Sequence, residues 1–363
     1  MTPLQSILAG IAGATSLVAL GLIALWGPPL LPLVAHVLGA LTLVRLVRPL
    51  PLALDGLVAL ALGAAIVSAI PDGNAPAWFW LTVVGFWLFC WLFVERLSMA
   101  IRTGRVPGQA LGMLIPLVFG LVLLILWEAA TRGGGVPQVL LPPPSQIGMR
   151  LVNSLPMLWA DFQQTFLKSV LAGFAIGCLS GFLVAIAIDR SPFLKRGLLP
   201  ISNFMSALPI VGIAPIMVMW FGFDWQSKAA VVVAMTFFPM LVNTLAGLDA
   251  ASTIERDLMR TYAANYWQTL AKLRLPAAAP FIFNALKINS TLALIGAIVA
   301  EFFGTPIVGM GFRISTEVGK LNIDLVWAEI AVAAIAGSAF YGVIALIERG
   351  VTFWHPSVRG GRA

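Results

Sequence analysis

Charged side chains are scarce in this sequence of 363 residues. Asp, Glu, Lys and Arg together make up 10% of it, whereas 60% of it is hydrophobic. Soluble domains usually carry about a quarter charged residues, so a chain this long with so few charges could not cover a water-facing surface. The composition therefore excludes a soluble enzyme, a disordered chain and a free nucleic-acid-binding protein.

Histidine and cysteine are also nearly absent. His36 and His355 are too few for a histidine metal centre. Cys90 and Cys178 both lie inside apolar runs, where we expect packing thiols rather than a disulfide or a metal site. A Walker-type Gly-x4-Gly-Lys-Ser/Thr motif is missing as well. We therefore expect no catalytic residues, no cofactor, no metal and no nucleotide site within this chain.

Long continuous apolar runs dominate what is present. About 20 apolar residues in a helix cross the hydrocarbon core of a membrane, whereas an outer-membrane barrel would alternate polar and apolar residues. The runs predict an all-α integral membrane protein with about ten transmembrane helices. These predicted spans cover residues 4–26, 30–44, 52–70, 77–94, 110–130, 165–188, 198–221, 229–248, 281–302 and 325–347.

The basic residues predict the orientation of these spans. With both termini in the cytoplasm, fifteen Lys and Arg residues fall on the cytoplasmic side and six on the outer side. Lys and Arg collect on the cytoplasmic side of membrane proteins, so the net charge of +7 does not indicate nucleic-acid binding. The distribution predicts a multi-pass protein of a bacterial inner membrane with both termini cytoplasmic. Residues 1–6 carry no Lys or Arg, so we expect the first span to be a retained helix rather than a signal peptide.

The polar, basic segment 95–108 is broken by Gly and Pro and predicts a boundary between two modules. Before it, residues 1–94 would form an accessory module of four transmembrane helices. Asp55 and His36 are its only titratable side chains within spans, too few to line a path for a polar solute. After it, residues 109–350 would form a core of six transmembrane helices, followed by a cytoplasmic tail at 351–363.

The longest polar stretch between two spans is the loop 249–276, with the sequence DAASTIERDLMRTYAANYWQTLAKLR followed by Leu-Pro. Ser252 or Thr253 could cap a helix that has Glu255 in its first turn. Leu258 and Tyr262 recur at helical spacing, and Pro276 and Pro280 are expected to break any continuous helix into the next span. Taken alone, the pattern favours an amphipathic helix resting on the membrane over a short helix exposed for a cytoplasmic partner.

The loop resembles that of the membrane permease subunit of type I ABC importers, in the group that serves nitrate, sulfonate, taurine and related compounds. The family motif is Glu-Ala-Ala, then a Gly four residues after the last Ala, then Ile-x-Leu-Pro. Here Asp257, Ala263 and Leu273 stand at the Glu, Gly and Ile positions. Further matching stretches are LPPPS at 141–145, ALPI at 207–210, WFG at 220–222 and VAEFFG at 299–304.

The resemblance implies that the loop forms a coupling helix that docks on a separate cytoplasmic ABC ATPase dimer. It also implies a pore made with a second copy of this chain, since the sequence holds one six-span core, and delivery by an extracytoplasmic solute-binding protein. A left-handed backbone conformation is strained for alanine but not for glycine. We therefore expect right-handed geometry at Ala263, the motif's glycine position. The predicted coupling residues are Glu255, Asp257, Arg260, Ala263, Trp267, Leu275 and Pro276.

Polar side chains inside two predicted spans are candidates for the pore wall. Lys287 could instead snorkel to the interface, and Asn289 and Ser290 could hydrogen-bond between helices. Glu301, at the far end of its span, is expected to be a structural hydrogen-bond partner. Gly173, Gly177 and Gly181 predict close helix packing. The candidate pore residues are Asn203, Met205, Ser206, Pro209, Asn284, Lys287, Asn289 and Ser290.

Together these features predict the permease subunit of an ATP-binding cassette importer for a small polar solute. The alternative is a secondary transporter or channel that needs no ATPase, for which acidic groups at mid-membrane are typical. The acidic residues Asp55, Glu128, Glu329 and Glu348 lie near span ends instead. The substrate stays open among oxyanions such as sulfonates or nitrate and heterocycles such as thiamine-precursor pyrimidines or riboflavin.

Overall fold

The computed structural model describes residues 2–26, 30–46, 50–107, 111–191, 193–197, 200–201, 209–304 and 307–354. The chain forms two compact units, Met1–Met149 and Arg150–Ala363. Every regular element among the described residues is helical, which confirms the predicted all-α class.

An apolar helix lies at each of the ten predicted spans. Three of them are short, at Leu30–Val44, Leu52–Ser68 and Val211–Phe221. Residue 110 of the fifth predicted span and residues 198–199 and 202–208 of the seventh lie outside the described part. In the described chain, seven helices are long and apolar enough to cross a membrane. They are Pro3–Ala24, Ala77–Arg102, Leu114–Gly133, Leu155–Asp189, Trp225–Asp249, Tyr266–Glu301 and Ile323–Val351.

Five α-helices lie within the described part of the first unit. Helix α4 (Ala77–Arg102) continues past residue 94, so the first half of the predicted linker 95–108 is helical. Leu97 on this extension is buried, which gives the extra turns an apolar contact to hold them. The helices are α1 (Pro3–Trp26), α2 (Leu30–Leu41), α3 (Leu52–Ser68), α4 (Ala77–Arg102) and α5 (Leu114–Glu128), which a π turn at Ala129–Gly133 extends.

One hydrophobic cluster among the described residues contains side chains from all five of these helices. Phe79 and Phe89 of α4 pack with Leu62 of α3 and Val122 of α5. Helix α5 thus shares its core with the four helices before it. The division of the chain at 95–108 into an accessory module and a permease core stays a prediction.

The second unit is built around α10 (Trp225–Asp249). The glycines of α8 (Leu171–Asp189) allow close packing on it: a Cβ atom added to Gly177 would lie 2.0 Å from Thr236 Oγ1, and one added to Gly173 would lie 2.7 Å from the Ala229 carbonyl oxygen. The predicted small-residue contact is therefore confirmed, and α13 (Leu275–Glu301) packs along α10 as well.

The remaining helices follow in chain order. Helix α6 (Pro144–Asn153) crosses the boundary between the units. The others are α7 (Leu155–Phe162), α8 (Leu171–Asp189), α9 (Ile210–Phe221), α10 (Trp225–Asp249), α11 (Thr253–Thr261), α12 (Tyr266–Thr269), α13 (Leu275–Glu301), α14 (Met310–Gly319) and α15 (Ile323–Val351), with π turns at Gln163–Val170 and Leu270–Arg274.

The prolines after the loop do not interrupt the helix, and the prediction that they would is wrong. A π turn, Leu270–Arg274, leads directly into α13, where Pro276 occupies the first turn and Pro280 lies inside. A proline in the first turn of a helix costs little because its missing N–H would have no intrahelical partner. The π turn lies directly before Pro276. Turns of this kind occur where the regular hydrogen bonds of a helix are disturbed.

Candidate functional site

Helix α11 lies in the loop between α10 and α13 and is fixed at its start by a capping box. The Ser252 hydroxyl accepts from the Glu255 backbone N–H at 3.3 Å, and the Glu255 carboxylate accepts from the Ser252 N–H at 2.9 Å. The Ser252 backbone N–H, which donates to this carboxylate, holds the pKa of Glu255 below its usual value. The predicted cap and its acidic first-turn residue are confirmed.

One face of α11 is apolar and open to solvent. Ile254, Leu258 and Tyr262 follow one another at four-residue spacing and are 81%, 55% and 76% exposed. No residue of this helix is buried. We call these three side chains the apolar face of α11.

The opposite side of α11 is attached to the end of α10. Arg256 precedes Leu258 by two residues, which places the two side chains about 200° apart around the helix. Its guanidinium donates to the carbonyl oxygens of Leu248 and Asp249, at 3.3 and 2.9 Å. These carbonyls belong to the last turn of a helix, where they have no partner within the helix. The apolar face of α11 therefore points away from the helix bundle.

The charged motif residues lie on the exposed flank of α11. Arg260 donates to Asp257 at 3.2 Å, and both side chains are largely solvent-exposed. Such a pair contributes only about 0.3 kcal/mol to helix stability. Neither residue is used to hold the loop in place.

Helix α11 ends in a left-handed turn at Ala263, where φ is +54°. The Ala263 N–H bonds to the Arg260 carbonyl and the Ala264 N–H to the Met259 carbonyl, at 2.8 and 3.0 Å. This is the Schellman arrangement, which normally has glycine at the left-handed position. The expectation of right-handed geometry at Ala263 is wrong, because two capped carbonyls offset the strain of the side chain.

The second half of the loop folds back onto the bundle. Asn265 caps α12 and forms a second capping box with Gln268. Leu270 is buried against Leu248 and Ala278, whereas Trp267 is exposed. Leu275 and Pro276 are half-buried where the loop enters α13. The loop therefore contains two helices, α11 and α12, with different surroundings.

Arg274 anchors the return segment of the loop, residues 266–274. The sequence alone did not predict this role. The Arg274 guanidinium donates to both carboxylate oxygens of Asp189, at 2.6 and 2.8 Å, and to the Leu248 carbonyl at 3.0 Å. The Tyr266 hydroxyl donates to Asp189 at 3.0 Å. The signal available was an Asp at the end of one span and an Arg at the start of another, which hydropathy alone does not pair.

The candidate pore residues are dispersed. Asn203, Met205 and Ser206 lie outside the described residues. Pro209 precedes α9, and both it and Asn284 are exposed. Lys287 pairs with Glu348 at 2.7 Å rather than reaching an interface alone.

Two further candidates lie within the bundle. Asn289 is buried and donates to the Thr236 carbonyl at 2.8 Å, and Ser290 donates to the Lys287 carbonyl at 2.7 Å. The Asn289 bond joins two helices and the Ser290 bond lies within one. Both agree with the alternative that these residues have a structural role. Their assignment to the pore wall stays a prediction.

The opposite end of the second unit contains a buried polar cluster. Glu301 accepts from the Thr165 hydroxyl at 2.8 Å and from the Gly311 N–H at 2.7 Å, as expected of a structural partner. Asp161 accepts from the Gly309 N–H at 2.6 Å and from Arg313 at 2.9 Å. The two carboxylates thereby hold the start of α14.

An apolar multi-helix bundle, with a firmly anchored loop whose short helix exposes an apolar face, is typical of the membrane subunit of a larger transport system. Residues 173–353 match the family described as binding-protein-dependent transport system inner membrane component. The chain belongs to this family, and it is the membrane permease subunit of an ABC importer, with the ATPase on a separate subunit.

Several curated proteins are similar to this chain over about two thirds to three quarters of its length. A probable ABC transporter permease protein of Haemophilus influenzae is 30% identical over 65% of this chain and 96% of its own length. The riboflavin transport system permease protein of Chloroflexus aurantiacus is 30% identical over 73% of this chain and 98% of its own length. The formylaminopyrimidine transport permease protein of Halalkalibacterium halodurans is 31% identical over 66% and 95%.

These similarities favour the importer over a secondary transporter or channel. They also establish that the protein is a multi-pass membrane protein, and that an ATPase and a solute-binding protein are its partners.

Proposed function

We propose that the loop 249–276 is the docking site for the ATPase subunit and that the apolar face of α11 makes the central contact. The observation that carries the proposal is the direction of this face. Arg256 attaches one side of α11 to the end of α10, so Ile254, Leu258 and Tyr262 point away from the bundle. A helix resting on the membrane would turn its apolar face toward the bilayer instead.

The docking proposal is tested by placing a charge on the apolar face. Leu258→Glu should abolish co-purification with the ATPase subunit, because a carboxylate buried at the contact would lose its hydration. Two further substitutions in the loop, Arg260→Glu and Ala263→Trp, should weaken the same association. The permease itself should remain folded, since none of these side chains is buried.

Thr253→Glu is the matched control for this experiment. It adds the same charge to the same helix, at an exposed position away from the apolar face and in the first turn, where acidic residues are favourable. Association should survive this change. Normal association of Leu258→Glu would contradict the docking proposal and leave α11 as a membrane-surface helix.

We further propose that two copies of the chain form the pore and that both termini are cytoplasmic. A single six-span core supports pairing, and the distribution of Lys and Arg supports the orientation. Co-purification of two differently tagged copies tests the first proposal, and its absence in the intact importer would contradict it.

Cysteine labelling tests the orientation. Arg260→Cys, at a position where the arginine side chain is 82% exposed, should react with a membrane-impermeant maleimide only after the membrane is opened. Labelling of intact spheroplasts would reverse the orientation.

For the translocated solute we propose a small neutral heterocycle, as in the relatives named for riboflavin and formylaminopyrimidine. Lys287, the one cation among the candidate pore residues, is neutralised by Glu348 and offers no free charge to an anion. Thermal shift of the solute-binding protein with riboflavin and with taurine tests the assignment. Stabilisation by taurine alone would contradict it.

A further inference from the structure

The return segment of the loop is attached to two helices at once. Arg274 binds the carboxylate of Asp189, the last residue of α8, through both oxygens, and it binds the Leu248 carbonyl near the end of α10. The two side chains of this pair are 11% and 3% exposed. Only the planar arginine fork can satisfy a carboxylate and a carbonyl in this way.

Aromatic side chains reinforce the same junction. The Tyr266 hydroxyl donates to Asp189, and the guanidinium of Arg190 lies over the rings of Tyr266 and Trp267, at 5.2 and 5.3 Å from their centroids. Arg190 follows Asp189 directly in the chain. The end of α8 therefore contacts the loop through an ion pair, a hydrogen bond and a cation–π contact.

Among the described residues, no side-chain hydrogen bond or ion pair joins α11 to α8, and the first half of the loop is linked to the segment beyond α8 by the ion pair of Asp249 with Lys195, at 2.5 Å. The described contacts of α11 outside the loop run through Arg256 to the last residues of α10. A force applied to the apolar face of α11 thus reaches the end of α10 through Arg256, whereas the side-chain bonds of the loop to the last residue of α8 come from the segment 266–274. Since the glycines of α8 seat it closely against α10, the two helices can respond as a pair.

We propose that Arg274, Asp189 and Tyr266 form the connection through which movement of the docked ATPase is passed to α8. Arg274 is a positioning residue in this connection and does not contact the ATPase or the solute. The proposal rests on the proposed docking of the loop. It adds that docking and transmission are separable, because the docking side chains are exposed and the connecting ones are half-buried or buried.

The test uses the complete importer in nanodiscs, with its ATPase subunit and solute-binding protein. Phe193→Cys, just beyond α8 and 83% exposed, carries one nitroxide label per copy in a Cys90→Ala, Cys178→Ala background. Pulsed electron spin resonance measures the separation of the two labels without nucleotide and after trapping with ATP, Mg²⁺ and vanadate. The label separation in the unsubstituted chain should shift on trapping.

Arg274→Gln should bind the ATPase at the normal level and keep ATP hydrolysis within about twofold, while the trapping-induced shift is lost. Tyr266→Phe, which removes one hydrogen bond, and Arg274→Lys, which keeps the charge but not the fork, should reduce the shift in part. Lys272→Gln, an exposed cation two residues away, is the matched control and should leave the shift intact.

Each outcome separates the connection from the docking. A full shift in Arg274→Gln would overturn the proposal. Loss of ATPase association in all three variants would also overturn it, since the network would then serve docking or folding alone. Failure of the docking proposal is seen independently, as normal association of Leu258→Glu.

Discussion

Ala263 is a residue whose side chain opposes the turn in which it lies. Its φ of +54° is left-handed, a conformation that costs a non-glycine residue about 1–2 kcal/mol. Ala263→Gly should therefore stabilise the end of α11 by about 0.5–1 kcal/mol, after the entropy of the more flexible unfolded chain is subtracted. Slower hydrogen exchange at the Ala263 and Ala264 amides, which close the turn, would measure the gain.

Ala264→Gly is the control for this change. It adds the same flexibility next to the turn, but at a position without positive φ, so exchange there should become faster. Equal effects of the two substitutions would show that Ala263 is not strained.

At this scale the sequence predicts the exposed residues better than the connecting ones. The cap at Ser252 and the apolar face of α11 follow from local spacing and are confirmed. The pairing of Arg274 with Asp189 joins positions 85 residues apart, and no local pattern contains that information. The left-handed turn at Ala263 was also missed, because its capping bonds outweigh the local preference of alanine.

At the scale of elements, the contact between α8 and α10 depends on the absence of a side chain at Gly177. A Cβ there would lie 2.0 Å from Thr236 Oγ1 and 3.1 Å from the Val233 backbone, and Thr236 is itself bonded to the Val232 carbonyl. Gly177→Ala should therefore destabilise the protein by about 1–3 kcal/mol. Thermal unfolding in detergent measures the loss.

Gly342→Ala, in α15, makes the same substitution at a helical site with no atom within 4 Å of the added Cβ. This substitution should stabilise the helix by up to about 1 kcal/mol, because alanine has a higher helix propensity than glycine. A melting temperature for Gly177→Ala at or above that of Gly342→Ala would refute the close-packing account.

Hydropathy and small-residue spacing predict where the helices lie, but less well where they end. Helix α4 passes the predicted end at residue 94 because buried Leu97 extends its packed face. The next long helix begins at Tyr266, within the loop and before Pro276, because a π turn at Leu270–Arg274 lets the helix continue to the proline. The end of α4 and the start of the helix at Tyr266 depend on tertiary contacts or backbone adjustments, which local hydropathy does not predict.

At the scale of the whole molecule, the role of the first four helices can be tested by removing them. Residues 100–363 after a new start codon should still bind the ATPase, because the loop 249–276 belongs to the other compact unit. Stability should fall, since α5 loses the core that it shares with α1–α4. We expect substantial transport, as these helices carry almost no polar lining.

ATPase co-purification, thermal unfolding and solute uptake measure these effects. A well-folded, ATPase-bound truncation without any transport would place the first four helices within the transport mechanism.

The docking of the ATPase on α11 is tested most directly by photocrosslinking in the intact importer. A photoreactive phenylalanine analogue replaces Leu258 on the apolar face, and in a second protein it replaces Leu346 on α15, which is also more than half exposed in the isolated chain. The Leu258 position should crosslink to the ATPase subunit, and the Leu346 position should not. Crosslinking to lipid alone at position 258, with an assembled and active ATPase present, would contradict the account.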